Sequence, residues 1–187
     1  MRRIVLPLAL LTVLALPSAG SSTGRSAFVL GDSLALGTRP YLPAYLPGWR
    51  LRQVVDVGYH TADGVRQVQS LGSRLAPNVV LSLGTNDDPR QVSRFRTGVR
   101  AVVAAAGPDR CVVWPNIVRP PAVGASYAAY NRVLADEAAR HRSLRVVDWR
   151  RLTSAHPEWL REDGVHVTAA GYRARAAAIA RALAACA

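Results

Sequence analysis

Ala27-Phe28-Val29-Leu30-Gly31-Asp32-Ser33-Leu34 is the stretch from which the fold can be read. Four apolar residues, enough for one buried strand, run into a glycine and then into an acidic and a hydroxyl residue before helix-forming residues resume. A chain that passes so quickly from strand to helix presents the side chains of the turn at the strand's carboxyl end. In an open parallel sheet those ends line the crevice where ligands bind, which puts the Ser33 hydroxyl at a rim. Asp32 and Ser33 also suit a helix N-cap, because both residue types satisfy the orphan N–H groups of a first helical turn. The other strand ends have to separate the two readings.

Downstream, strand and helix patterns alternate. Leu34 to Leu46 is a helical stretch interrupted by Pro40 and Pro43, and the valine-rich run Leu51 to Val57 is a second strand that ends in a loop, Gly58 to Gly64. Val65, Val68, Leu71 and Leu75 keep a helical period that Pro77 closes; Asn78 to Leu83 is a third strand, apolar enough to be buried on both faces. After Gly84-Thr85-Asn86-Asp87, Pro89 suits the first turn of a helix that runs to Gly107. Cys111 to Trp114 is a fourth strand, Pro115 to Ala125 a proline-marked loop, and Ser126 a candidate cap for the next helix. Leu144 to Val147 is a fifth strand, followed by an irregular span to Gly164 and a last helix opened by Thr168. Such alternation predicts right-handed crossovers and a five-stranded parallel sheet covered on both faces, an α/β architecture.

The 187 residues fit one domain, and a half-hydrophobic composition supplies a core. Arg2-Arg3, the apolar run Ile4 to Leu16 and the small residues around Ala19 to Ser22 read as a secretory signal over residues 1–22, leaving residues 26–187 as the domain. The apolar run is too short to span a bilayer comfortably, an uncleaved anchor is the alternative, and no later segment is apolar enough to cross a membrane. Export, to the cell envelope or beyond, is the expectation. The formal charge of +12 comes from arginine alone, without lysine, and favours anionic partners such as envelope polymers, membrane surfaces or nucleic acid. The arginines are scattered, without runs or interleaved aromatics, which speaks against nucleic acid and for a compositional bias. The four histidines are isolated, so no metal site is expected and no cofactor is implied.

In a parallel sheet the loops holding Ser33, Gly58 and Asn86 converge on one rim with the segment before the last helix. That segment holds Asp163 and, three residues on, His166. An aspartate so placed can accept from one ring nitrogen and leave the other to take a proton from Ser33, the arrangement of an activated nucleophile. Taken singly, Asn86 also reads as a turn residue, Asp163 as a loop acid and Gly58 as a turn glycine. His60 lies close enough to the Gly58 loop to contact a substrate or remain at the surface; His141 and His156 read as structural.

Gly31-Asp32-Ser33-Leu34, then Gly58, then Gly84-Thr85-Asn86-Asp87, then Asp163-Gly164-Val165-His166, in that order, resemble the blocks of the GDSL or SGNH hydrolases, from Phe28 to about Ala180. The resemblance implies a three-layer, flavodoxin-like fold with Ser33 as nucleophile, His166 as general base and then acid, and Asp163 as its orienting partner. It implies oxyanion donors in the N–H groups of Ser33 and Gly58 and the Asn86 amide. A narrower likeness, carried by Val146 to Trp149, His156 to Trp159, Asp163 to Thr168 and Gly171-Tyr172, is to the extracytoplasmic domain of bacterial peptidoglycan O-acetyltransferases. The large acyl-transferring membrane domain of that branch is missing here, so the first expectation is an esterase acting on short acyl esters, small or saccharide-borne. Acyl transfer by the same acyl-enzyme is the alternative, and a non-catalytic carbohydrate-binding module is the reading from another class. The oligomeric state is not legible.

Cys111 and Cys186 fit an exported protein with one optional disulfide. Cys111 opens the fourth strand, and the last helix, running antiparallel to the strands from the rim, carries Cys186 to the same far side. The topology therefore predicts a bridge between them, with two buried thiols as the alternative.

Overall fold

Burial on both faces is what the central strands show first: Val29, Leu30, Val80, Leu81, Val113 and Trp114 are all within a few per cent of complete burial. The computed structural model describes residues 25–186, and the leader expected over residues 1–22 lies outside them. β1 (Ser26–Gly31) pairs with β2 (Arg50–Val55) on one side and β3 (Asn78–Ser82) on the other; β4 (Cys111–Pro115) and β5 (Leu144–Val147) follow. The five-stranded order is β2-β1-β3-β4-β5, with every pair parallel. This is the flavodoxin-like winding.

Parallel neighbours need long crossovers, here largely helical: α1 (Ser33–Thr38), α2 (Leu42–Tyr45), α3 (Thr61–Leu71), α4 (Val92–Ala106), α5 (Ala128–Arg140), α6 (Trp149–Ala155) and α7 (Ala169–Ala184). Alternate strand residues divide the core in two. Phe28, Leu30, Val79, Leu81, Val112 and Trp114 pack with Val68, Val99 and Val133 of α3, α4 and α5. Ala27, Val29, Val80 and Val113 pack on the other face with Leu42 of α2 and Ile179 and Leu183 of α7. The chain leaves β1 for β2 on one side and returns to β3 on the other, so the crevice of the winding opens above the carboxyl ends of β1 and β3.

Several boundaries depart from the sequence reading, each for a local reason. β2 stops at Val55, so Asp56 and Val57 belong to the turn. α3 begins at Thr61, because the Asp63 carboxylate accepts the His60 N–H (2.8 Å) and fixes a first turn inside the expected loop. It stops at Leu71, where Gly72 takes a φ of +51°; Leu75 reaches the core from a short 3₁₀ turn instead. Pro89 precedes α4 in a turn closed by the Gln91 N–H on the Asp88 carbonyl (2.9 Å). Ser126 caps nothing: α5 starts after Tyr127, whose hydroxyl donates to the Asp87 carbonyl (3.0 Å). The expected irregular span contains α6, too short for a visible apolar period, with the Asp148 carboxylate accepting the Arg151 N–H (3.1 Å) as its cap.

Cys111 and Cys186 are joined by a disulfide, with a Cα–Cα separation of 5.9 Å. It ties the end of α7 to the start of β4 across 75 residues, and a closed loop of that length stabilises by roughly 4 kcal/mol in the chain-entropy model. Cys111→Ser with Cys186→Ser is therefore expected to lower the unfolding free energy by about that amount. Equilibrium denaturation of the oxidised protein and the double variant checks this; equal stabilities would remove the bridge from the account.

Candidate active site

Gly31 ends β1 because nothing larger fits there. A Cβ at this position would lie 2.5 Å from the Ala35 Cβ and 2.7 Å from the Ser82 carbonyl oxygen, inside any real contact. With β3 so close, the Asp32 N–H donates to the Ser82 carbonyl (3.1 Å) and the chain turns sharply into α1. Asp32 is the N-cap: its carboxylate accepts the Leu34 N–H at 3.0 Å. The cap and the crevice-facing hydroxyl thus fall on neighbouring residues: Ser33, half-buried at the first helical position, takes no part in the cap.

Behind the turn lie two buried residues of opposite charge. Asp32 and Arg175 of α7 are almost fully buried. Burial pushes the Asp32 carboxyl up from its usual range, against the attraction of Arg175 and hydrogen bonds from Leu34 and Thr85. Burial pushes Arg175 down to about 10, opposed by the charge of Asp32. The Arg175 guanidinium donates to the Ser82 hydroxyl (3.0 Å) and lies 5.1 Å from the Trp149 ring, so α7, β3 and α6 are fixed beneath the Gly31-to-Ser33 turn. An arginine in an alanine-rich helix gives no sequence signal of this role.

The Ser33 Oγ lies 2.9 Å from the His166 Nε2, and the His166 Nδ1 lies 2.6 Å from the Asp163 Oδ2. The other oxygen of Asp163 accepts the N–H groups of Val165 and His166, both at 2.9 Å, which closes the Asp163-to-His166 turn on its own carboxylate. Asp163 is held down to about 2, chiefly by the hydrogen bond to His166 and then by the Val165 N–H. With Nδ1 donating to a carboxylate, Nε2 is left as the acceptor facing the serine hydroxyl. Three residues from two distant parts of the chain form one continuous hydrogen-bonded chain.

The remaining candidates stand on the neighbouring loops. Gly58 has a φ of +80°, which favours glycine, and lies just beyond β2, whose Val55 is in register with Gly31. The Asn86 Nδ2 donates to the Tyr59 carbonyl (3.1 Å), so the loops of Gly58 and Asn86 are joined. Asp87 strengthens this junction in a way the sequence did not disclose. Its carboxylate accepts from the His60 Nδ1 (2.9 Å) and from the Thr61 N–H (3.2 Å). His60 is exposed at the start of α3, at one end of a groove of about 700 Å³ between α3 and α4 floored by Phe95 and Tyr130; neither Ser33 nor His166 lines it. Arg119, from the loop after β4, donates to the Thr85 carbonyl beside Asn86. His141 pairs with the buried Glu137 (3.5 Å), and His156 stacks on Trp159 (4.1 Å), so both are engaged away from Ser33. Among the described residues no group of His, Cys, Asp and Glu is arranged to hold a metal, and no helix is long and apolar enough to cross a membrane.

Known proteins agree with this architecture. The model of the GDSL-like lipase/acylhydrolase family matches residues 29–174. No curated protein matches the sequence. Among solved structures, the C-terminal catalytic domain of Streptococcus pneumoniae peptidoglycan O-acetyltransferase A, determined with a methylsulfonyl adduct, superposes with a TM-score of 0.73 at 20% identity, covering 87% of this chain and 94% of that one. TesA gives 0.70 at 20% identity, covering 87% and 100%. A Clostridium thermocellum family 3 carbohydrate esterase gives 0.67 at 15%, covering 86% and 98%. At such identities the superpositions speak for the fold, while the family match spans the strand ends that carry Ser33 and Asn86 and the turn that carries His166. The chain belongs to the GDSL-like lipase/acylhydrolase family.

Proposed function

We propose that the protein is an exported esterase that removes short acyl groups, acetyl foremost, from cell-envelope saccharides through an acyl-enzyme on Ser33. The observation that carries the chemistry is the hydrogen-bonded chain Ser33–His166–Asp163 at 2.9 and 2.6 Å. In acylation the Ser33 Oγ attacks the acyl carbon as its proton passes to the His166 Nε2. The tetrahedral intermediate collapses with cleavage of the ester C–O bond, and the same proton goes to the departing alkoxide. Water then enters, gives a proton to His166 and attacks the acyl carbon; the acid leaves and Ser33 recovers its proton. The N–H groups of Ser33 and Gly58 and the Asn86 amide supply the oxyanion donors, each worth roughly 3 to 4 kcal/mol of barrier where such donors are preorganised.

Substrate class rests on likeness. Two of the superposed proteins are described as a peptidoglycan O-acetyltransferase and a carbohydrate esterase, and the amino-terminal sequence reads as a secretory signal. Acetyl esters are expected to be cleaved much faster than long-chain ones in a series of chromogenic esters. Preference for eight carbons or more would instead turn the reading towards a lipase. Adding a chitooligosaccharide to the acetyl-ester assay separates the two fates of the acyl-enzyme. Acetylated sugar would mean transfer, and faster release of chromophore without it would leave hydrolysis.

The pH profile follows from the same geometry. A folded carboxyl held near 2 lies below its unfolded value, so the ionised Asp163 persists through mildly acid pH and is lost only as pH falls through about 2. The acid limb of kcat/KM is therefore expected to follow one proton, that of His166, which must be neutral to accept from Ser33. A flat profile from neutral to mildly acid pH would replace His166 as the base, with His60 the first residue to test.

A further inference from the structure

Arginines that lie scattered along the sequence meet at one end of the fold. At the start of β1 and β2 the Arg50 N–H donates to the Arg25 carbonyl (2.9 Å). Arg50, Arg52 and Arg74 line one cleft of about 400 Å³. Arg110 reaches the Leu75 carbonyl (3.2 Å), beside Arg74, and Ser143, next to Arg142, accepts the Val112 N–H (2.7 Å). These six arginines stand where the chain enters the strands, on the face opposite the rim of Ser33; five are exposed and Arg110 is half-buried. Asp109 is the one acid among the described residues that enter the five strands.

Outside this face only some arginines are partnered, among them Arg66 with Asp63, Arg90 with Asp88, Arg96 and Arg100 with Glu137, and Arg151 with Asp148, so what sets the basal face apart is the gathering of its arginines. Among the described residues none of the six basal arginines has a carboxylate within ion-pair distance. Unpaired like charges on one face repel one another, and an anionic surface relieves that repulsion.

Two further observations select a lipid surface over a soluble polyanion. Tyr45, at the end of α2 before the turn into β2, is 42% exposed, and the half-buried Trp49 lies with its ring 5.9 Å from the Arg25 guanidinium. Amphipathic aromatics among arginines suit the headgroup layer of a bilayer. We propose that this basal face binds an anionic phospholipid surface and holds the catalytic rim away from it. The inference is independent of the serine chemistry.

Sedimentation of the full chain with vesicles tests it. The protein is expected to bind vesicles rich in phosphatidylglycerol, to bind phosphatidylcholine vesicles far less, and to be released as salt rises from about 0.05 M to about 0.5 M. Arg50→Glu with Arg74→Glu and Arg142→Glu should weaken binding to the anionic vesicles by roughly tenfold or more. Cleavage of a soluble acetyl ester by the variant should match the wild type, which also reports its folding. Should the charge-reversed variant fail to fold, glutamine at the same positions carries the test, with a loss of roughly threefold or more expected. Since the leader, with its own Arg2-Arg3, is present in every chain, binding that it alone drives would be unchanged by the substitutions, and that result overturns the proposal. So does binding to soluble polyphosphate without binding to vesicles.

Discussion

Ser33→Ala is expected to lower kcat/KM for a short acyl ester by roughly four to six orders of magnitude, the range seen when a nucleophile is removed from a cooperating triad. The size follows from the single path through the site: the hydroxyl is the group in line with the His166 Nε2, at 2.9 Å. The fold should be untouched. The helix cap belongs to Asp32, whose carboxylate holds the Leu34 N–H, and the glycine turn before it is set by the approach of β3. Thermal unfolding should therefore match the wild type to within the small change typical of a surface substitution. A fluorophosphonate probe should label the wild type at Ser33 and leave the variant unlabelled. Ester cleavage by the alanine variant at the wild-type rate would end the assignment of Ser33 as nucleophile.

What could be read from the sequence was what depends on short-range chemistry. Apolar runs such as Ala27 to Leu30 and Asn78 to Leu83 are strands because nothing else buries them. The residues that follow each run are polar or glycine because a strand end in a parallel sheet must turn, which made Ser33, Gly58 and Asn86 visible as a set. Residues fixed by distant partners were hidden. α6 spans seven residues and gives no period to detect. Asp87 looks like the last member of a turn, and its bonds to His60 and Thr61 exist only because α3 starts beside β3. Arg175 is indistinguishable in sequence from the exposed Arg173, yet it is buried and donates to the Ser82 hydroxyl. The scattering of the arginines was itself an effect of topology. Parallel strands gather at one end residues separated by dozens of positions, so Arg25, Arg50, Arg74, Arg110 and Arg142 form a face that no sequence window contains.

Asp163→Asn tests the other end of the hydrogen-bonded chain, with an expected loss in kcat of roughly 10³-fold. An asparagine oxygen can still accept the Val165 and His166 N–H groups that now hold the turn at 2.9 Å, so the backbone should keep its place. The amide nitrogen would then face the His166 Nδ1 as a donor. To avoid two opposed N–H groups the imidazole must carry its proton on Nε2, where it points at Ser33 and cannot accept. The wrong tautomer leaves binding intact and removes the base, so kcat should fall while KM changes little. In a buried triad the same swap costs roughly 10⁴-fold. Here the Asp163 side chain is 49% exposed, and water can partly restore the useful tautomer, which sets the smaller figure. Asp163→Ala should add a second defect, because the turn itself loses its acceptor and His166 its fixed position. Steady-state kinetics of both variants on one ester decide the matter: a loss of less than tenfold in the asparagine variant would show that Asp163 holds the turn and leaves the tautomer to solvent.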